Sequence, residues 1–231
     1  MSDIGMRVLD FFYPNLCDCC KVKIPYGAWV CDKCREELAK LECPPHAWEQ
    51  SQHADTPFPW DGFLALYAYR DAAKRGILSL KQGHKGFLNA AADTLAERIA
   101  AEYNTAEIDC ITFVPVTVLR RSLQGYSHCE LLADALGKRL SVRVEKHLLT
   151  ERNGKIRQHQ LSAEERKQYT DRFSHTGKNL AGKTILLCDD IVTTGTTLAE
   201  CTRLLKECGA KRVYTAVCCA SIRTEKTEPT T

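Results

Sequence analysis

The chain has 231 residues, 44% of them hydrophobic and 26% charged, with a formal net charge of +3. That composition is globular, and its length suits one α/β domain with a small appendage. A charge so close to balance gives no argument for nucleic acid while leaving room for a local basic patch. No apolar run is long enough to span a membrane. The start, "MSDIGMRVLDFFYPNL", lacks the charged lead, long apolar stretch and cleavage site of a signal peptide. A cytoplasmic protein without membrane insertion is therefore expected. Thirteen cysteines in such a chain argue against a disulfide framework.

Residues 1–60 differ from the rest. They hold six of the cysteines and show little helical periodicity. Cys17, Cys20, Cys31 and Cys34 form two C-x-x-C pairs separated by ten residues. Each pair can close a tight knuckle, and two knuckles make the tetrahedral sulfur site that structural zinc prefers. Four sulfurs leave no open position, so this Zn²⁺ would be structural. Cys19, inside the first knuckle, is a possible substitute ligand. The pair Cys43 and His46 also has knuckle spacing, with His53 following, but no fourth ligand is evident. "HAWEQSQHADTPFPW" (46–60) reads as a loop or linker.

From Asp61 the pattern becomes regular. "FLALYAY" (63–69) predicts a strand, and residues 71–83 a short helix that Asp71 could cap. Residues 87–103 have apolar positions at helical spacing. "IDCITFVPV" (108–116) predicts a buried strand ended by proline. Residues 127–140 predict a second amphipathic helix, with Ser127 and Glu130 in a capping-box pattern. Residues 150–175 are polar and charged. A strand is expected over 183–191, a helix over 196–209 stopped by Gly209, and a last buried strand over 212–221. Cys110, Cys188, Cys218 and Cys219 fall in strand-like runs and read as small core hydrophobes. Alternating strands and helices imply an open, mostly parallel sheet flanked by helices. The expected organisation is a zinc-binding module and linker over 1–60, the main domain over 61–223 and a disordered tail over 224–231.

The most informative stretch is "ILLCDDIVTTGTTLAE" (185–200). A parallel strand delivers its last residues to the carboxyl edge, where open α/β folds bind ligands. Two acids, Asp189 and Asp190, stand there. The small loop Thr193, Thr194, Gly195, Thr196, Thr197 follows, and a helix begins at once. Such a loop can converge backbone N–H groups and hydroxyls on a phosphate, aided by the positive end of the helix. Carboxylates cannot bind phosphate. They can accept hydrogen bonds from paired sugar hydroxyls or help hold Mg²⁺ through water. A sugar phosphate accounts for both halves.

"ILLCDDIVTTGTTL" resembles the phosphoribosyl-pyrophosphate (PRPP) motif of type I phosphoribosyltransferases. With the cysteine knuckles, the chain resembles the ComF/GntX family, in which a zinc finger precedes such a domain and which is associated with DNA uptake in competent bacteria. "LKQGHKG" (80–86), "FVPVTVLRRSLQGYSHCELLADALG" (113–137) and "RQHQLSAEERKQYTDRF" (157–173) resemble further family segments. The resemblance implies a type I phosphoribosyltransferase-like α/β fold. It implies ribose hydroxyls on Asp189 and Asp190, and the 5′-phosphate on Thr193, Thr194, Gly195, Thr196 and Thr197. Pyrophosphate, arriving with Mg²⁺, would meet Arg120 and Arg121 behind "VPVTVLRR", with Lys81 a second candidate. Residues 150–175 would form a lid from which Arg152, Lys155 and Arg157 could reach phosphates.

The chain departs from the family at "QGYSH" (124–128). There Gln124, Ser127 and His128 replace arginine, asparagine and glutamine, and Thr117 replaces a proline. The PRPP half is intact and the acceptor half is altered. Two functions follow: a Mg²⁺-dependent transferase with an unknown acceptor, or a non-catalytic adaptor in DNA uptake. The adaptor would contact a helicase or single-stranded DNA, with Lys21, Lys23, Lys33 and Arg35 lending positive charge to the zinc module.

Overall fold

The computed structural model describes residues 14–52, 57–116, 126–152 and 172–222. In chain order these form α1 (Asp32–Ala39), α2 (Ala47–Ser51), β1 (Gly62–Ala68), α3 (Asp71–Lys81), α4 (Gly86–Glu102) and β2 (Cys110–Phe113). Next come α5 (His128–Leu140), β3 (Leu149–Glu151), β4 (Phe173–His175), β5 (Thr184–Val192), α6 (Thr196–Glu207) and β6 (Arg212–Ala220). The expected tail, Arg120, Arg121, Gln124 and most of the expected lid lie outside the described residues.

A four-stranded sheet runs in the order β1-β6-β5-β2, with every pairing parallel. Its strands are nearly continuous apolar runs because both faces are covered. On one face α3, α4 and α5 bring Leu80, Leu95, Ile99, Leu132 and Leu136 onto Leu64, Leu66, Ile111 and Leu186. On the other, α6 brings Leu198, Cys201 and Leu205 onto Phe63, Ile185, Leu187 and Val213. Cys110, Cys188, Cys218 and Cys219 are all buried in these layers. Short β3 and β4 pair as an antiparallel ribbon beside the main sheet.

β2 lies between β5 and a short parallel contact to Val144, where Ile111 N–H donates to the Arg143 carbonyl at 2.9 Å. The chain therefore leaves β2 to one side and returns on the other. This reversal opens a crevice at the carboxyl ends of β2 and β5.

The cysteine segment contains structure that its sequence does not advertise. α1 is a helix of 8 residues whose buried positions, Cys34 and Leu38, lie four apart. α2 is a single turn inside the stretch expected to be a loop. Neither has a long apolar stripe, and both are held by contacts made elsewhere. Cys17, Cys19, Ile24, Val30, Leu38 and Leu41 join the same buried cluster as α3 and α4. Residues 41–43 add an antiparallel contact to the free edge of β1, with Cys43 N–H donating to the Leu66 carbonyl at 2.9 Å and Ala68 N–H to the Leu41 carbonyl at 2.7 Å. An edge that would otherwise present unpaired groups is covered.

Two carboxylates complete this docking. Asp18, inside the first knuckle, accepts from Phe87 N–H at 2.8 Å in the first turn of α4. Glu37 on α1 accepts from Ala72 N–H at 3.0 Å in the first turn of α3 and pairs with Arg75 at 2.8 Å. Each acid satisfies an amide left open at a helix start and faces the positive end of the helix dipole.

Candidate functional site

The acids, the small loop and the start of α5 meet at the carboxyl edge of the sheet. Asp189 is buried, and its Oδ1 accepts from Asp190 N–H at 2.8 Å and from the Cys129 thiol at 3.1 Å. Burial, and after it the neighbouring Asp190 charge, push the Asp189 carboxyl well above the usual carboxylate range. Burial likewise pushes the Cys129 thiol up, so it stays protonated and can donate. Asp190 is less buried, with its Oδ2 4.0 Å from His128 Nδ1. Ser127 caps α5 as its sequence suggests, accepting from Glu130 N–H at 3.3 Å, and this cap aims His128 and Cys129 at the acids.

The loop follows directly. Thr193, Thr194 and Thr196 are exposed, and the Thr194 and Thr196 hydroxyls are 3.1 Å apart. Gly195 is the N-cap of α6 with φ of +76°, a left-handed conformation that favours glycine. Having no side chain to cap with, it leaves the first amides of α6 open to a ligand. A Cβ at Gly195 would stand 2.6 Å from the Trp48 ring, so space as well as φ demands glycine.

Lys81 is exposed in the last turn of α3. The segment after it reaches the site through Tyr126. That hydroxyl donates to the Leu80 carbonyl at 3.1 Å, its ring carries Lys85 Nζ 4.8 Å from the centroid, and it meets the His128 ring edge-on at 5.3 Å. Arg152, at the end of β3, donates its N–H to the Arg172 carbonyl at 2.9 Å, joining the two ends of the expected lid. Lys155 and Arg157 lie outside the described residues.

A second centre lies in the N-terminal segment. The sulfurs of Cys17, Cys20, Cys31 and Cys34 all fall within 4.8 Å of one another, a set that can hold a metal ion. Lys21 takes a positive φ of 61° just after the first pair, turning the knuckle back. Burial alone would raise the Cys17 thiol, but N–H donors from Cys31, Cys20 and Cys19 outweigh it and bring it down to about 7. At Cys17 that favours the thiolate, the form that binds metal, whereas burial pushes the Cys31 and Cys34 thiols up. Among the described residues no such cluster includes Cys19, Cys43 or His46. His46 Nδ1 instead meets Glu49 Oε2 at 2.9 Å. Of the module's basic residues, Lys21 donates to Ser79 Oγ and Arg35 pairs with Asp32 at 2.9 Å.

Two participants escaped sequence reasoning. Cys129 lies in the helix predicted over 127–140, and nothing in that pattern links it to the strand edge. Trp48 sat in a presumed linker, although the aromatic density of Trp48, Phe58, Trp60 and Phe63 is a signal for a packed cluster.

The family description "Phosphoribosyl transferase domain" matches residues 88–230. The DNA utilization protein YhgH of Escherichia coli is 26% identical over 224 residues, covering 90% of this chain and 98% of that protein. YhgH of Salmonella typhimurium is 24% identical over 223 residues, with the same 90% and 98% coverage. Among solved structures, phosphoribosylpyrophosphate synthetase from Mycobacterium smegmatis aligns with a TM-score of 0.36 at 23% identity, covering 58% of this chain. The chain spans 34% of that synthetase. Among the described residues no helix is long and apolar enough to cross a membrane.

Proposed function

The chain belongs to the phosphoribosyl transferase domain family, and from that premise we propose that it binds PRPP with Mg²⁺ and transfers the phosphoribosyl group to an acceptor. The observation that carries this reading is the pairing of Asp189 and Asp190 with an open, left-handed Gly195 loop on the first turn of α6. The acids accept hydrogen bonds from the ribose 2′- and 3′-hydroxyls. The amides and hydroxyls of Thr193, Thr194, Gly195, Thr196 and Thr197 hold the 5′-phosphate. Lys81, Arg120 and Arg121 supply positive charge to the pyrophosphate. Displacement at the anomeric carbon passes through a state of oxocarbenium character, and the protein's contribution is positioning and charge management. The carboxylate oxygens of Asp189 and Asp190 are hard donors of the kind Mg²⁺ takes, and the ion when bound would neutralise the departing pyrophosphate. Structural Zn²⁺ on Cys17, Cys20, Cys31 and Cys34 suits the all-sulfur set. The knuckles and the two YhgH relatives support membership in the ComF/GntX family and a role in DNA uptake.

A second reading is a non-catalytic adaptor that binds PRPP or a nucleotide and contacts a DNA-uptake helicase or single-stranded DNA. It draws support from the acceptor side, where Ser127 is spent on the α5 cap and His128 lies against Asp190. The cysteine module also exposes Leu16, Val22, Tyr26 and Trp29, surface that a partner could cover.

Calorimetry with PRPP and Mg²⁺ tests the first step. Wild type is expected to bind, and the double substitution Asp189→Ala, Asp190→Ala to bind at least about 10-fold more weakly. No heat from wild type at millimolar ligand contradicts the reading. Pyrophosphate release with a panel of bases then separates transferase from adaptor.

A further inference from the structure

We propose that Trp48 is a positioning residue for the phosphate loop: its indole forms a rigid back wall that fixes Gly195. The inference rests on the reading of residues 193–197 as the 5′-phosphate site, and adds what holds that site in shape.

Three rings close on one glycine. The point where a Gly195 Cβ would stand is 2.6 Å from Trp48 Cη2 and 3.3 Å from both Phe58 Cε1 and Trp60 Cη2. Trp48 is the centre of this cluster, with ring centroids 5.2 Å from Phe58, 6.1 Å from Trp60 and 4.9 Å from Phe63. Phe58 and Trp60 stack at 4.5 Å with only 7° between their planes. Trp60 is pinned by Nε1–H donation to Glu49 Oε1 at 2.7 Å. Trp48 is only 1% exposed, and its Nε1–H has no hydrogen-bond partner among the described residues. Ring packing therefore holds it.

The chemistry of an anion loop explains why a wall is useful. A free glycine samples more backbone states than any other residue, and a loop of amides binds phosphate well only if those amides already converge. Gly195 cannot be braced by its own side chain. The indole braces it from behind and leaves Thr193, Thr194 and Thr196 exposed on the other side. The bracing residue comes from α2, far upstream in sequence, so the linker after the cysteine module is part of the ligand site.

The test uses two probes that belong to opposite ends of PRPP. Ribose 5-phosphate reports on the loop, and inorganic pyrophosphate with Mg²⁺ reports on the other end. Trp48→Phe keeps an aromatic core but removes the benzo ring that carries Cη2, and Trp48→Ala removes the wall altogether. Calorimetry on the full chain is expected to show ribose 5-phosphate affinity falling about 3-fold to 10-fold in Trp48→Phe and further in Trp48→Ala. Pyrophosphate affinity should stay within about 2-fold of wild type. Trp48→Phe retaining wild-type affinity for both probes overturns the proposal. Equal loss of both probes overturns it too, because that marks a general structural defect. Wild type binding pyrophosphate but not ribose 5-phosphate removes the underlying loop assignment itself. Should Trp48→Ala fail to fold, Trp48→Phe carries the test alone.

Discussion

Asp189→Asn should make the ligand-free protein more stable at neutral pH while weakening its affinity for PRPP. Asp189 is a carboxyl that the fold buries beside a second acid, and its pKa in the folded state stands above its unfolded value. The folded state therefore holds the proton more tightly. The stabilisation this gives is fully present below the ordinary value of 3.8 and is lost as pH rises through the folded pKa. Asparagine keeps an acceptor for the Asp190 N–H and the Cys129 thiol, so the local hydrogen bonds survive. Each 1 kcal/mol gained in this way would raise Tm by roughly 2–4 °C in a domain of this size. The gap between variant and wild type should widen from pH 4 upward and close in acid. A scan of Tm against pH for both proteins checks it. An equal gap at every pH would show that ionisation of Asp189 is not the cause. The acid pair is then a place where stability is given up for a binding task.

The second large effect is at the cysteine centre. Stripping metal with a strong chelator should lower the melting temperature of the whole chain, in one transition. The four sulfurs hold the knuckle that carries Asp18, and Asp18 caps α4 at 2.8 Å. Glu37, on the helix that begins after Cys31, caps α3 at 3.0 Å. Loss of a helix cap costs about 1 kcal/mol, and the module also contributes Val30, Leu38 and Leu41 to the shared core. A combined loss of roughly 3 kcal/mol corresponds to a Tm drop of about 6–12 °C. Asp18→Ala, with metal bound, should reproduce about a third of that. Calorimetric scans decide it. Two separate transitions, the upper one unmoved by the chelator, would contradict the shared core.

Local pattern carried most of the main domain. β5 and β6 are apolar runs bounded by turn signals, and both form within a residue of the predicted bounds. The Ser127 cap could be read because capping is a short-range rule spanning three residues. The acid pair and its loop were legible for the same reason: strand, acids, loop and helix are consecutive. Contacts between distant segments left no such trace. Nothing near Gly195 announces Trp48, which lies over a hundred residues upstream and meets it only in the folded chain. Asp18 lies inside a knuckle, and its partner Phe87 is 69 residues away. α1 and α2 are too short for a periodic signal and depend on what they dock against.

The central claim is that Asp189 and Asp190 grip sugar hydroxyls while the loop grips phosphate. The direct measurement is a cycle of calorimetric affinities in which ribose 5-phosphate and 2-deoxyribose 5-phosphate are each bound by wild type and by the Asp189→Ala, Asp190→Ala variant. In wild type, deleting the hydroxyl should cost about 10-fold in affinity, as expected for a hydrogen bond to a charged group. In the variant the same deletion should cost less than about 2-fold, leaving a clear coupling between hydroxyl and acids. An equal loss in both proteins would mean that the acids do not touch the sugar.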